Sequence, residues 1–470
     1  MPAGIRVSDP FNRAKGSGAG AASLVRGACP TVAVPMATGD GLLARLPPQP
    51  VPLTSTSLAG LCAAAEACGN GIVEITRRGS IQVRGLRPET VAGFGGALRA
   101  AGVATDEGVP VFLSPLAGID PAEADDMRPL AAGLAEAIFD SGLGPRLAPK
   151  LSIVLDGGGR LHLEALAADI RVAAEAGPHG RLYRLSLAGN PEEATLLGGL
   201  ARENIVPALI SVLRRIAGLG RHARARDLLQ AEGAPGIRSA LGHSLTDLPP
   251  RAVRPPSESV GVHPLGDGLV AVGIGLAFGH ARASALRALL AEAVNPGARA
   301  FAPAERRVLL AIGVPAERAG SLIAAAERLG FIARPDDPRR SLSACAGAPD
   351  CPSGRMPARG IAPEVARILA PVLDGSIDVH LSGCAKGCAH PGPATLTLVG
   401  GEAGCGVVLR GRAGDTPAGH VPAGDLSDGL ARFVAEAKAR RLPGETAADL
   451  FRRLGSNAVA SILLGETVDG

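Results

Sequence analysis

The sequence lacks a strong excess of charge of either sign. Lysine plus arginine number 48 and aspartate plus glutamate 44, which leaves a formal net charge of +4 at pH 7. Proteins that hold nucleic acid electrostatically carry a clustered, strongly basic face, and so small an excess gives no support for one. We therefore expect no nucleic-acid partner, and an anionic ligand must be met by a local group of basic residues.

A long apolar segment is also missing. The longest apolar run, residues 269–278, has about half the length that a membrane-spanning helix needs. The basic residues Arg6, Arg13 and Lys15 are not followed by the apolar core of a secretory signal. The sequence thus predicts a cytoplasmic protein with no membrane partner, in which residues 1–21 are a flexible lead-in.

The composition is otherwise globular. The chain has 470 residues, of which 46% are apolar and 20% charged, enough for about three domain-sized units. The 64 glycines and 39 prolines follow no strict period, which excludes a collagen-like fibre.

An internal repeat organises the chain. Gly39-Asp40-Gly41-Leu42 recurs as Gly266-Asp267-Gly268-Leu269, at an offset of 227 residues that also aligns 81–83 with 308–310. Periodicity predicts, in the first copy, strands at 42–46, 72–76 and 81–84 and helices at 58–67 and 89–101; in the second, strands at 269–276 and 308–312 and helices at 281–294 and 316–329. Both copies are typical of ferredoxin-like half-domains in an α+β protein.

The region between the copies predicts a meander and a helix. Strands are expected at 151–155, 161–166 and 182–187, with a hairpin turn at residues 156–159, and a helix at 195–219. The resulting organisation is a lead-in (1–21), a first half-domain (22–103), a first α/β domain (104–247), a linker (248–258), a second half-domain (259–333) and a second α/β domain (334–470).

Four cysteines in the last segment indicate a metal site. Cys345 and Cys351 are separated by five residues, and Cys384 and Cys388 by three, each pair within a stretch rich in glycine and proline. Iron-sulfur clusters take four thiolates from irregular backbone, whereas structural zinc pairs are usually separated by two to four residues. We favour a [4Fe-4S] cluster and keep zinc as the alternative. Packing roles are expected for the others, Cys29, Cys62, Cys68 and Cys405.

The cysteine spacing, placed in the second half of a duplicated protein, resembles the sirohaem and [4Fe-4S] nitrite and sulfite reductase superfamily. In that superfamily the last cysteine, here Cys388, bridges the cluster to the tetrapyrrole iron, and residues 76–85 resemble a basic strand motif in which Arg78 contacts the tetrapyrrole. Residues 26–47, 114–131 and 380–400 are most similar to the precorrin-3B synthase family. The resemblance implies a duplicated reductase-like architecture with two half-domains and two larger α/β domains related by a pseudo-twofold axis.

Departures from the reductase pattern favour that branch. Leu43 stands where reductases have an arginine, and Ser152 where they have a second lysine, while Arg45 and Lys150 are kept. Such losses weaken a cage for sulfite or nitrite, yet a precorrin, with acetates and propionates around its ring, still needs basic donors. The candidates for substrate binding are Arg45, Arg78, Arg84, Lys150 and Lys386. Glu305 matches Arg78 in the second copy, which predicts one active site rather than two.

The family implies a reaction. It is the NADH- and O2-dependent conversion of precorrin-3A to precorrin-3B, by hydroxylation and lactone formation, in aerobic cobalamin biosynthesis, with NADH acting directly or through a reductase. A mononuclear non-haem iron is expected beside the cluster, but His162, His380 and His390 have no recognisable ligand spacing, so the catalytic residues are unknown. The alternatives are a sulfite or nitrite reductase with bound sirohaem and a ferredoxin or NADPH donor, and a non-catalytic electron-transfer or tetrapyrrole-carrier module.

Overall fold

The fold is taken from a computed structural model. It describes residues 30–465 except 107, 178, 179 and 250. The predicted lead-in at 1–21 and Cys29 lie outside the described residues.

The chain forms strands and helices throughout the described region. The strands are β1 (Met36–Thr38), β2 (Gly41–Arg45), β3 (Ile72–Ile75), β4 (Ile81–Leu86), β5 (Val111–Phe112), β6 (Ile153–Asp156), β7 (Ala168–Gly177), β8 (Gly180–Gly189), β9 (Thr195–Leu200), β10 (Leu245–Thr246), β11 (Gly261–Gly266), β12 (Leu269–Gly275), β13 (His280–Arg282), β14 (Ala300–Ala304), β15 (Val308–Pro315), β16 (Leu342–Ala344), β17 (Val379–Ser382), β18 (Ala394–Gly401), β19 (Gly404–Gly411) and β20 (Gly419–Val421). The α-helices are α1 (Ser55–Cys68), α2 (Val91–Ala100), α3 (Arg128–Asp140), α4 (Ile205–Gly218), α5 (Ala225–Leu241), α6 (Ala283–Val294), α7 (Ala319–Arg328), α8 (Ala358–Leu369), α9 (Leu426–Arg440) and α10 (Ala447–Leu464). None of the described helices is both long and apolar enough to span a membrane.

The two copies of the repeat exchange strands. The first forms the sheet β1-β2-β4-β3, to which β13 of the second copy adds, pairing His280 with Glu74. In return, Leu53 of the first copy exchanges two backbone hydrogen bonds of 2.7 Å with Phe301, on β14 in the sheet β11-β12-β15-β14. Leu53 and His280 are 227 positions apart, as are Glu74 and Phe301. The exchange therefore follows the pseudo-twofold relation that the sequence offset predicts.

One hydrophobic core serves both copies. Helices α1 and α6 lie against each other, and side chains such as Leu61, Cys62, Leu286 and Leu289 are buried in a single cluster. Burial of apolar side chains in such a core is the main favourable contribution to folding. The expected packing role of Cys62 is in agreement with this position, and Cys68 packs against the same core.

The turns of the repeated motif differ by one residue. In the first copy Thr38 pairs with Gly41, so Gly39 and Asp40 form the turn, whereas in the second Gly266 pairs with Leu269 and Asp267 and Gly268 form it. Asp40 is largely buried and Asp267 is exposed. Only the first turn faces the cysteine-bearing loops, as described below.

The region between the copies departs from the predicted meander. Its sheet has the order β10-β9-β8-β7-β6-β5, and residues 161–166 form turns rather than a strand. Because β6 and β7 are parallel, residues 157–159 begin a crossover and the predicted hairpin is wrong. The helix predicted at 195–219 is also wrong in its first part: 195–200 is the strand β9, and α4 begins at Ile205.

The last sheet has the order β16-β17-β18-β19-β20 and brings the cysteines together. Strands β16, β17 and β18 are parallel neighbours, so their carboxyl ends meet at one edge, where α/β sheets commonly bind ligands. Cys345 follows β16 directly and Cys384 follows β17 after one glycine. Topology thus places both predicted ligand loops side by side.

Candidate active site

A cleft of about 2570 Å³ lies between the first half-domain, the six-stranded sheet and the cysteine loops. Pockets for ordinary small ligands are about 300–1,000 Å³, so a macrocycle has room here. The five predicted substrate-binding residues all line this cleft, as do two of the four cysteines: Arg45, Arg78, Arg84, Lys150, Lys386, Cys345 and Cys388.

The cysteine loops supply thiols and backbone donors. The Gly383 N–H donates a hydrogen bond of 3.1 Å to the Cys345 Sγ. Burial raises the pKa of the Cys345 thiol, and the nearby thiols of Cys384 and Cys351 add to the effect. Backbone N–H groups that point at a thiol are the second-sphere donors expected around a cluster.

The turn of the first half-domain packs directly on one of these thiols. A Cβ built on Gly39 would lie 1.9 Å from Cys351 Sγ and 3.2 Å from Cys351 Cβ. Glycine is therefore the residue that fits at this contact. The close packing of this turn on the cysteine loop depends on the absence of a side chain at Gly39.

A buried ion network lies beside that turn. Arg84 Nε and Nη2 donate to the Asp40 carboxylate at 2.8 and 2.6 Å, and Nη1 reaches Glu74 Oε2 at 3.4 Å. Burial opposes the charge of Arg84, but Glu74 and Asp40 outweigh it and raise its pKa, and the Cys388 thiol acts in the same direction. The Arg84 guanidinium lines the cleft with its donors already directed at two carboxylates.

The remaining predicted basic residues reach the cleft from separate elements. Arg78 Nη1 donates to the Ala167 carbonyl at 2.9 Å, and its guanidinium lies 5.2 Å from the Phe112 ring centroid. Lys150 is exposed in the connection before β6, and Lys386 Nζ donates to Ser353 Oγ at 3.0 Å. Together they put positive charge on both sides of the cleft.

Arg45 sits on a polar relay across the first sheet. The Gln82 amide oxygen accepts from the Arg45 guanidinium at 2.6 and 2.7 Å, and its nitrogen donates to Glu74 Oε2 at 3.1 Å. The relay connects Arg45 with the network of Arg84 and fixes both side chains at the cleft wall.

The two halves differ at the positions of Arg78 and Glu305. Both residues line a small cavity of about 80 Å³, but of the two only Arg78 also lines the large cleft. Burial raises the pKa of Glu305 to about 7. That the protein has one active site rather than two stays a prediction.

Two histidines lie behind the cysteine loop. His380, on β17, is fully buried with neither ring nitrogen hydrogen-bonded, and its ring centroid is 5.7 Å from that of His390. Burial lowers the pKa of His380 to about 3, so the ring is neutral at pH 7. In the described part of the chain, no three histidine, cysteine, aspartate or glutamate side chains form a group that could hold one metal ion. The thiols of Cys345, Cys351, Cys384 and Cys388 likewise do not form such a group in this arrangement.

Sequence reasoning missed four arginines in the cleft. They are Arg221, Arg224, Arg226 and Arg307. Arg307 is fully buried, donates to the Leu342 carbonyl at 2.6 Å and to Ser343 Oγ, and has a pKa lowered by burial to about 9. The first three stand close together in the sequence after α4, which was the available signal, whereas nothing local marks Arg307.

Comparison with known proteins agrees with this architecture. Residues 34–101 match the family model of the nitrite/sulfite reductase ferredoxin-like half domain. The solved structure of the NirA protein of Mycobacterium tuberculosis superimposes with a TM-score of 0.67, at 22% identity over 89% of this chain and 84% of that chain. The duplicated reductase-like α+β fold predicted from the sequence is thereby confirmed.

The sequence comparisons are more specific. A sulfite reductase [ferredoxin] of Mycolicibacterium paratuberculosis is 30% identical over 70% of this chain and 64% of its own length. A precorrin-3B synthase of Sinorhizobium sp. is 40% identical over 94% of this chain and 95% of its own length. The chain therefore belongs to the precorrin-3B synthase family, an oxidoreductase branch of the nitrite and sulfite reductase superfamily.

Proposed function

We propose that this protein is the monooxygenase that converts precorrin-3A to precorrin-3B in aerobic cobalamin biosynthesis, by hydroxylating the macrocycle and forming a lactone with a ring acetate. The observation that carries the proposal is the near full-length similarity to a precorrin-3B synthase. The cosubstrates are O2 and NADH, the latter acting directly or through a reductase, and the reaction takes place in the cytoplasm. A large cleft that is rich in basic residues and is lined by Cys345 and Cys388 supports this chemistry.

The four cysteines are proposed to hold a [4Fe-4S] cluster. The donor set fits, because each iron of such a cluster needs one thiolate, and Cys345, Cys351, Cys384 and Cys388 lie on loops at the same sheet edge. When bound, the cluster would supply single electrons to the cleft. The Gly383 N–H would hold the Cys345 sulfur in place, and the close packing of Gly39 would limit movement of Cys351.

The basic side chains are proposed to bind and orient the substrate. The peripheral carboxylates of precorrin-3A are anions, and arginine and lysine donors form their strongest hydrogen bonds with such groups. Arg45, Arg78 and Lys150 would act from one side, and Lys386 from the cysteine side. Arg84 would act indirectly, because its donors already hold the carboxylates of Asp40 and Glu74 at the cleft wall.

The reductase alternative requires a bound sirohaem and a basic cage for a small anion. Leu43 is buried at the cleft wall, and Ser152 is buried with its N–H donating to Asp169 at 2.9 Å. Neither side chain supplies a charge. Extraction of anaerobically purified protein separates the readings: a full cluster without sirohaem supports the synthase, and stoichiometric sirohaem supports the reductase.

A cysteine substitution tests the cluster. Cys388→Ser should abolish cluster binding and destabilise the last sheet region, because ligand binding and folding of these loops are coupled. The matched control is Cys68→Ser, a half-buried thiol of the first core, which should keep its iron and acid-labile sulfide. Full iron and sulfide in Cys388→Ser would contradict the assignment.

A mononuclear non-haem iron is a further part of the proposal, since activation of O2 needs an open metal position or another redox cofactor. We assign it no ligands. Iron in excess of the cluster's four atoms per chain would support it, and an iron-to-sulfide ratio of one in fully active protein would argue against it.

A further inference from the structure

One wall of the cleft is formed by a short basic segment, residues 221–226, which leads from α4 into α5 and includes the first two residues of α5. Arg221, Arg224 and Arg226 all line the cleft. The segment belongs to the six-stranded sheet region, whereas the cysteine loops belong to the last sheet. It therefore adds cations that neither the repeat nor the cysteine motif carries.

Its middle arginine anchors the segment. Arg224 Nε and Nη2 donate to the Asp169 carboxylate at 2.8 and 2.6 Å, and the Ala225 N–H donates to the same carboxylate at 3.2 Å. Asp169 is buried at the start of β7 and also accepts from the Ser152 N–H. The segment is thus fixed to the sheet at one point.

The two flanking arginines are different. Arg221 and Arg226 are exposed and make no ion pair or hydrogen bond with any other residue in the described ranges. Lys150, which lines the same cleft, has none there either. An anchored segment that carries two cations toward a cleft is suited to a ligand with carboxylates.

An apolar group accompanies these charges. Phe139, on α3, lines the cleft and is 85% exposed. A small anion such as sulfite would gain nothing from an exposed phenyl ring. A tetrapyrrole offers a large apolar ring with anionic groups around it, which matches both features.

We propose that Arg221 and Arg226 form a carboxylate-binding subsite for the peripheral acids of a polycarboxylate tetrapyrrole, on a wall of the cleft separate from the cysteine loops. Arg224 is a positioning residue that holds the segment through Asp169. The inference rests on the proposed function for the identity of the substrate, but the subsite can be tested without turnover.

The test is a fluorescence titration of the full-length protein with uroporphyrin III, a stable octacarboxylate tetrapyrrole. The double variant Arg221→Gln/Arg226→Gln should bind about three- to tenfold more weakly, the range expected for two solvent-exposed charge contacts. Arg221→Lys/Arg226→Lys should recover most of the affinity, because it keeps the charge. The matched control is Arg214→Gln, an exposed arginine of α4 that does not line the cleft.

Salt dependence gives a second readout. Affinity of the native protein should fall as ionic strength rises, and the double glutamine variant should show a shallower fall because two charges are missing. Unchanged affinity in the double variant, or an equal loss in Arg214→Gln, would overturn the subsite. The two proposals can fail separately. If the double variant binds uroporphyrin III more weakly but the native protein does not convert precorrin-3A, the proposed reaction is rejected and the subsite is retained.

Discussion

Replacing Gly39 by alanine tests the contact between the first half-domain and the cysteine loop. The new methyl carbon would lie 1.9 Å from Cys351 Sγ, a separation that non-bonded atoms do not adopt, so the turn or the loop must move. Forcing an extra methyl group into close-packed structure costs about 1–3 kcal/mol. Because the displaced atom is a predicted cluster ligand, we expect Gly39→Ala to lower both the free energy of unfolding and the iron content.

The assay compares iron, acid-labile sulfide and the urea midpoint in two variants made in parallel. Gly96→Ala, in α2, is the control because a Cβ at Gly96 meets no atom within 4 Å. It should keep its cluster and gain up to about 1 kcal/mol from the better helix propensity of alanine. If Gly39→Ala retains native iron content and stability, the close contact with Cys351 is not a feature of the folded protein.

Three further substitutions test the site. Asp40→Asn should lower the free energy of unfolding in a urea titration by about 3 kcal/mol, because it leaves Arg84 buried beside a single carboxylate. The control is Glu89→Gln, which removes the exposed ion pair with Arg87 and should change stability by less than about 1 kcal/mol. Equal effects of the two substitutions would contradict the buried network. His380 has a folded pKa of about 3 against an ordinary 6.5, so the unfolded chain binds the extra proton and stability is lost as pH falls below about 6.5, by about 1.4 kcal/mol per pH unit. His380→Gln should remove that slope between pH 6 and 5 on the acid limb, and an unchanged slope would show that the ring is not held neutral. Arg78→Ala should weaken uroporphyrin III binding with iron and sulfide unchanged; native affinity would remove Arg78 from the substrate site.

The sequence predicts the repeat well because both copies keep the same hydrophobic pattern at a constant offset. Strands such as β4 and β15 and helices such as α1 and α6 lie close to their predicted positions. Periodicity alone does not predict that β13 would join the sheet of the other copy, since strand pairing between distant segments leaves no local pattern.

Buried strands explain the main errors. Residues 196–200 are all leucine or glycine and lie in the six-stranded sheet, and such a continuous run cannot be distinguished from a helix by period. At 156–159 the glycines predicted a hairpin turn, but Asp156 instead accepts from the N–H groups of Gly158 and Leu163 and shapes a crossover to a parallel strand. The structure of this segment is therefore determined by strand pairing in the sheet and not by the local turn sequence.

The residues of the site also fall into a group that the sequence predicts and a group that it does not. The cysteines could be grouped from their spacing, and Arg78 and Lys150 from the motif resemblance. Arg307 and the segment 221–226 reach the cleft through packing between sheets, which spacing along the chain does not encode. The predicted boundaries between segments remain predictions, although the sheets of residues 104–247 and 334–470 each fall within one of them.

The most direct test of the central claim is anaerobic incubation of the purified protein with precorrin-3A and an NADH-driven reductant, followed by isotopically labelled O2 and mass spectrometry of the tetrapyrrole. The account predicts a product that contains one oxygen atom from the labelled gas and forms only when O2 is present. Unlabelled, unchanged precorrin-3A, together with turnover of sulfite or nitrite by the same preparation, would contradict it.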